Sequence, residues 1–418
     1  MHPALSPTTR RDFVLRTAGA LTAVAILPDL SFAAPRMADG PVTIGLIGAG
    51  RQGRLIITEL AKFENVKIVG ICDTDASRRD SGSKRAAGAE AFADHNAMLD
   101  KLKDLAAVII ATPTHLHKQI ALDCLSAGKH IYCEAPLANT IEDCKAIAAA
   151  ASTSKQIFAV GFEGRSNPVY KLARTFFRSD AVRDFVGAEA QSFKKETWRF
   201  PAPPGSDSTR EKAENWRLDP EISLGLAGEM GAQQFDVVHW YTDQAPTSVF
   251  GAGGIRMHSD GRTLADSIHC DFGYDNGSRF AYAASLANSF GGRHETLRGT
   301  NSAIKLAWSH GWLFKEADAP TQGWEVYANR QQFFNDEGIT LIADATKLAA
   351  QGNLKDGVGL PHKSLYYALG DFLKSITEAK PVACSAATGA RSTTIAILAA
   401  KAVAESTLIT IDPATLKF

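Results

Sequence analysis

Apolar runs and helix-spaced stripes alternate through the first third of the chain. Val42, Ile44, Leu46 and Ile47 form a run the length of a buried strand, and Leu55, Ile56 and Leu60 follow at helical spacing. A second run covers Val66 to Cys72. Ala91-Phe92 then predicts a short strand, Asn96 to Leu105 a helix, and Ala106 to Ala111 a buried strand. Lys118 to Ala127 predicts a helix closed by Gly128, and His130 to Cys133 a further strand. This alternation predicts an α/β fold with a doubly wound parallel sheet, whose ligand site lies beyond the C-terminal strand ends. The second half reads differently. Gly187 to Phe193, Thr247 to Gly251, Ser267 to Tyr274 and Arg279 to Ala284 are strand-like segments joined by turns rather than helices.

Between the first strand and its helix lies Gly48-Ala49-Gly50-Arg51-Gln52-Gly53. Gly48 makes the turn, Gly50 lets a pyrophosphate approach the backbone, and Gly53 lets the helix lie close to the strand. The helix N-terminus then offers free N–H groups to phosphates. The second strand ends in Asp73, where a carboxylate takes both hydroxyls of an adenosine ribose. These features predict a nicotinamide dinucleotide, NAD rather than NADP because Asp73 would repel a 2′-phosphate; Arg51, Arg78 and Arg79 nearby keep NADP open. Thr112, His117 and Glu134 emerge on the same strand edge.

Thr9-Arg10-Arg11-Asp12-Phe13-Val14-Leu15, the apolar Ala18 to Leu27 and the small-residue Ser31-Phe32-Ala33 come in the order of a twin-arginine signal. Residues 1–40 are therefore expected to be a leader and linker, and the protein to be exported folded to the periplasm. The apolar segment is too short and alanine-rich for a membrane span. Lys+Arg and Asp+Glu both number 45, so no basic field invites nucleic acid or an anionic membrane. The six cysteines show no zinc-site spacing and no metal is expected; buried free thiols are the reading for most of them.

GAGRQG, Thr112-Pro113 with His117, GKHIYCEAP (Gly128 to Pro136) and VGFEGRSNP (Val160 to Pro168) together resemble the Gfo/Idh/MocA oxidoreductases, the glucose–fructose oxidoreductase and inositol dehydrogenase superfamily. The likeness runs from about Val42 to the C-terminus, through Asn215 to Pro220, the glycine-rich Gly225 to Asp236 and a closing helix from His362 to Lys380. It implies a Rossmann domain over residues 41–165 that binds NAD(P). The cofactor residues carried over are Gly48, Ala49, Gly50, Arg51, Gln52, Gly53, Asp73, Thr112, Pro113, His117, Glu134 and Arg165. It also implies a C-terminal α/β domain over 166–418, with a large, mostly antiparallel sheet that covers the nicotinamide and mediates homo-oligomerisation. Its last helices would pack back on the Rossmann domain.

The chain departs from the family at the chemistry. The family's Glu-Lys-Pro is Glu134-Ala135-Pro136 here, and Asp-x-Gly-x-His-x-x-Asp is Glu229-Met230-Gly231-Ala232-Gln233-Gln234-Phe235-Asp236. A base must still take the hydroxyl proton. Helical spacing puts Glu229, Gln233, Asp236 and Trp240 on one stripe with His239 about 60° away. Glu229 and His239 are thus the nearest catalytic candidates, with Glu134 and Tyr170 behind them; a helix end packed in the core is the competing reading of His239. Gln233, Lys194, Arg199, Trp216 and Arg217 are expected to bind a carbohydrate. Lys195, Trp198, Trp308, Trp312, Trp324, Arg293 and His294 add loop-like aromatic and charged positions.

An exported enzyme meets no pool of free nicotinamide. The expected function is therefore a sugar oxidoreductase that keeps its cofactor tightly bound. The alternatives are a redox-neutral glycosidase or lyase, which oxidises, eliminates, hydrates and re-reduces, and a non-catalytic carbohydrate sensor.

Overall fold

The structure is a computed structural model that describes residues 40–201, 205, 208–328, 330–333, 336–342 and 359–418. The expected leader falls outside the described residues, apart from Gly40.

The first layered unit alternates strictly: β1 (Val42–Ile47), α1 (Arg51–Leu60), β2 (Val66–Cys72), α2 (Ala76–Arg85), β3 (Glu90–Phe92), α3 (His95–Lys101), β4 (Ala107–Ile110), α4 (His117–Ser126), β5 (His130–Glu134), α5 (Ile141–Thr153) and β6 (Phe158–Gly161). Local chemistry sets the helix starts. Asp75, Asp94 and Thr140 each accept a backbone N–H at the N-terminus of α2, α3 and α5. The strands pair in parallel in the order β3-β2-β1-β4-β5-β6. Strand order reverses between β1 and β4, which opens a crevice there at the C-terminal strand ends.

The second unit begins with α6 (Pro168–Phe177) and β7 (Phe185–Phe193), then α7 (Ser208–Glu214), a π-helical turn (Ala227–Gly231) and α8 (Ala232–Thr242). Next come β8 (Ser248–Gly254), β9 (Ser267–Gly273), β10 (Arg279–Ser285), β11 (Arg293–Gly299), β12 (Ser302–Ala307), β13 (His310–Lys315), β14 (Arg330–Phe333) and β15 (Asp336–Thr340). The described chain closes with α9 (Ser364–Thr377), α10 (Ala386–Glu405) and β16 (Leu408–Thr410). Ten strands run β14-β15-β13-β12-β11-β7-β10-β9-β8-β16, antiparallel throughout except for the β7–β10 pair.

One face of this sheet is apolar: Ile268, Cys270 and Phe272 on β9 alternate with exposed or half-buried neighbours, as do Phe280, Tyr282 and Ala284 on β10. Phe235 of α8 packs on that face, its ring 4.8 Å from Phe272 and 4.8 Å from Tyr282. The strands β11 to β15 were not expected as strands, and Trp312 sits within β13 rather than on a loop.

The closing helices bind the two sheets together. Helix α9 packs on α1, with Phe63 and Tyr366 stacked at 4.6 Å and Phe372 against Tyr132 of β5. Helix α10 lies between α5 and β8, so close that a Cβ on Gly251 would come 2.5 Å from the Val403 nitrogen. All six cysteines are free and buried, and burial pushes the Cys72 thiol up to about 12. Among the described residues no helix is long and apolar enough to cross a membrane, and no cluster of His, Cys, Asp and Glu could hold a metal ion.

Candidate functional site

The glycine loop behaves as its spacing requires. Gly48 has φ +95° and its Cβ would lie 2.5 Å from the Ala111 oxygen; a Cβ on Gly53 would lie 1.9 Å from the Gly48 oxygen. At Gly50 a Cβ would meet nothing within 4 Å, so this face is open. Gly50 is the N-cap of α1 and brings no side chain to occupy the first N–H groups. The Asp73 carboxylate accepts from Ala49 N at 2.8 Å and from Asp75 N at 2.9 Å, which fixes it beside the loop. Across the crevice, at the end of β4, the buried Thr112 hydroxyl has no hydrogen-bond partner. An open phosphate cradle, an acid beside it and an orphaned hydroxyl opposite are what a dinucleotide would fit. The cations that kept NADP open lie around the same end of the crevice. Arg79 donates to Asp73 O and Thr74 O, Arg78 lies 4.0 Å from Glu214, and Arg51 lies 4.0 Å from Glu196.

Several predicted cofactor residues take other roles. His117 is buried, with Nδ1 3.1 Å from Pro136 O and Nε2 3.0 Å from Thr112 O, so it ties two strand-end loops together behind the crevice. Burial lowers its pKa. Pro113 starts a 3₁₀ turn, its carbonyl accepting from Leu116 N at 2.9 Å. Arg165 does not face the crevice: its Nε and Nη2 grip Asp236 at 2.9–3.1 Å in a buried pair. Glu134 stays at the strand edge, where its carboxylate accepts from Gln52 Nε2 of the glycine loop at 3.2 Å. Burial, then the nearby Glu163 charge, push the Glu134 carboxyl up to about 8.

Of the catalytic candidates, the structure brings Glu229 to the crevice. The π-helical turn carries it against the loop after β4, where Thr114 Oγ1 donates to Glu229 Oε1 at 3.2 Å. Its side chain is 4% exposed, with Arg217 Nε 4.0 Å away. Burial raises the Glu229 carboxyl, and the Arg217 charge opposes that rise. Trp216 lies under Arg217, 4.6 Å from guanidinium carbon to ring centroid, and 6.1 Å from the His115 ring. The His115 Nδ1 is buried without a partner. Thr114 was passed over in the sequence and His115 read as a loop residue or helix cap; their position within the Thr112 to His117 stretch was the available signal.

The other candidates are engaged in contacts of their own. His239 sits at the far end of α8 with Nδ1 2.7 Å from Gln244 O, closing the helix end. Tyr170 is fully buried and donates to Glu295 Oε2 at 2.6 Å, in the core beneath the second sheet. Gln233 uses both ends of its amide on the turn after β6: Nε2 donates to Gly161 O at 2.7 Å and Oε1 accepts from Glu163 N at 3.2 Å. It is a strut between the two units rather than a sugar contact. Lys194 pairs with Glu196, and Arg199 Nε lies 3.0 Å from Asp260, so both are engaged in ion pairs on the loop after β7. That loop and α7 cross to the adenosine end of the crevice, where Arg210 Nη2 meets Asp75 at 2.8 Å.

Residues 42–162 match the oxidoreductase family model with an NAD-binding Rossmann fold, Gfo/Idh/MocA, and residues 195–305 match the Gfo/Idh/MocA C-terminal domain. The chain belongs to the Gfo/Idh/MocA oxidoreductase family. Its first domain is accordingly an NAD-binding Rossmann fold. An uncharacterised oxidoreductase of Bacillus subtilis (strain 168) is 27% identical over 54% of this chain and 61% of its own length. The inositol 2-dehydrogenase of Acidothermus cellulolyticus is 28% identical over 55% of this chain and 62% of its own. The chain thus spans about three fifths of these curated relatives. A levoglucosan dehydrogenase solved with NADH superposes with a TM-score of 0.70 at 20% identity, covering 89% of this chain and 99% of that one, which establishes a shared fold.

Proposed function

We propose that this protein oxidises a secondary hydroxyl of a sugar or sugar derivative, with hydride passing to NAD and the hydroxyl proton to Glu229. NAD, when bound, supplies the hydride acceptor. The observation that carries the reading is the contact between Glu229 and Thr114 at the Rossmann strand ends, where the family's lysine and histidine are absent. Burial brings the Glu229 carboxyl toward working pH, as a general base needs. Thr114 aims it, and the Arg217 charge opposes the rise that burial causes. The Trp216 ring with Arg217 above it offers an apolar wall and donors for a polyol. The sugar-directed activities of the inositol and levoglucosan dehydrogenases support the substrate class.

Tight retention of NAD belongs to the same proposal and is supported by the ion pairs that fasten α7 and the loop after β7 over the adenosine end. So does twin-arginine export, on the pattern at Arg10-Arg11. Association of copies is supported by Phe250 and Leu408, 42% and 60% exposed and paired across β8 and β16, on the face opposite α10. A redox-neutral glycosidase is the second reading. Glu134 and Glu163, held at about 8 and about 7 largely by burial, would keep protons near neutrality for a departing glycosidic oxygen.

The test uses cofactor-loaded protein without added nicotinamide, given sugars and nitrophenyl glycosides while reduced cofactor and nitrophenol are followed together. Single-turnover reduction reversed by a second sugar supports the oxidoreductase. Repeated nitrophenol release without lasting reduction replaces it with the glycosidase. Glu229→Gln is expected to cut the chemical step by about 10²–10⁴ while NAD stays bound; unchanged turnover would remove Glu229 from its role.

A further inference from the structure

Arg293 opens β11 on the sheet face turned to the helices, in register with Ser192 of β7, which in turn pairs with Ala284 of β10. Small residues thus flank it on the two strands to one side of β11. The group lies flat on Trp308, 3.9 Å from the ring centroid. Arg293 Nε and Nη2 are buried and have no hydrogen-bond partner, and neither has Trp308 Nε1 beside them. The molecule contains its own reference for that edge. Arg165 presents the same two nitrogens, Nε and Nη2, to the Asp236 carboxylate. A charged donor edge buried without an acceptor is costly to keep, and a planar oxyanion is its natural complement.

The edge also lies on the sheet face that carries the π-helical turn. The Arg293 charge acts directly on Glu163, whose N–H is held by Gln233, one turn from Glu229. The π-helical turn bearing Glu229 rests on β10, since a Cβ on Gly231 would come 3.0 Å from the Tyr282 ring. Two strand spacings, roughly 10 Å, separate β10 from β11.

We propose that the Nε/Nη2 edge of Arg293 binds a carboxylate of the substrate, so that the substrate is a sugar acid, a uronate or aldonate, rather than a neutral polyol. The choice of carboxylate over phosphate follows from the neighbours. Glu163 and Glu295 are both buried acids close to Arg293, and a dianion would add repulsion that a single negative charge keeps small. The inference rests on the oxidoreductase reading for its turnover arm, and on nothing beyond Arg293 and its neighbours for its binding arm.

The experiment gives holoenzyme matched pairs: D-glucuronate and D-glucose, D-galacturonate and D-galactose, D-gluconate and D-glucitol, with D-glucose 6-phosphate as the phosphate arm. Reduction of bound cofactor and calorimetric binding are both read. In at least one pair the acid should exceed its neutral partner in kcat/KM by roughly tenfold to a hundredfold. Arg293→Lys and Arg293→Gln, checked for an unchanged melting temperature, should erase that preference by raising KM more than they lower kcat. Preference for the neutral partner in every pair, a preference that survives both variants, or glucose 6-phosphate outdoing the acids would each overturn the proposal. Acids that bind in an Arg293-dependent way without hydride transfer would uphold this site and remove the oxidoreductase reading. Turnover of a neutral sugar with no acid binding would do the reverse.

Discussion

Asp236 is reached from two distant parts of the chain: Arg165 grips it with two nitrogens, and Ser392 Oγ donates to Oδ1 at 2.6 Å. All three are buried, so removing the charge leaves a guanidinium with neither water nor anion. Asp236→Ala should lower stability by about 3–5 kcal/mol, read as a shift in denaturant midpoint. Glu134 carries a pH signature. In the folded chain it keeps its proton to about 8, against an ordinary 4.5 when unfolded. Folding therefore favours the protonated group: its contribution is complete below about pH 4.5 and is lost as pH rises through 8. Glu134→Gln should flatten the fall in melting temperature between those limits; an unaltered pH profile would refute this. At this scale the sequence was legible where the requirement is local. Gly53 answers to the Gly48 carbonyl five residues away, Gly48 to its own positive φ as well as to Ala111, and Asp73 sits at the end of its own strand. The contacts of His117, Arg165, Tyr170 and Gln233 with Leu137, Asp236, Glu295 and Gly161 were not legible, because these lie 20, 71, 125 and 72 positions away and spacing carries no information about them.

The turn from β1 into α1 separates two glycines that look alike in sequence. Gly53→Ala drives a methyl into the Gly48 carbonyl and should lower the melting temperature sharply, because backbone cannot give way as a flexible side chain can. Gly50→Ala points into open space and should melt like the parent while losing NAD retention, which separates a folding glycine from a binding one. Both variants are read by melting and by cofactor content after gel filtration. Element legibility followed the same physics. Strands β7 to β10 announce themselves by clean alternation, whereas β11 reads Arg-His-Glu-Thr-Leu-Arg-Gly because its inner face carries Arg293 and Glu295. Polar groups turned inward hide a strand from any pattern built on apolar burial. The π-helical turn likewise shifts Glu229 relative to the helix that follows.

At the scale of the molecule, the proposed retention of NAD by the ion pairs over the adenosine end is open to a rate measurement. Each is a surface contact of about 0–1 kcal/mol, so Arg210→Ala should speed release by no more than roughly fivefold. The parent rate should rise with salt while the variant responds less. Stopped-flow displacement of NAD measures both, and salt-independent release in the parent would show that the contacts do not gate it. Helices α9 and α10 make the two sheets one cooperative body, because both pack on the Rossmann unit and α10 also packs on β8. Loss of NAD and loss of far-ultraviolet ellipticity should therefore coincide in denaturant.

The hydrogen bond from Ser392 to Asp236 has a consequence in time. Ser392 follows Asp236 by 156 positions, so the floor beneath Gln233 and Arg165 cannot close until the chain has been synthesised through α10. Docking of α10 is thus the step that closes this buried pair, after β1 to β15 have already been made.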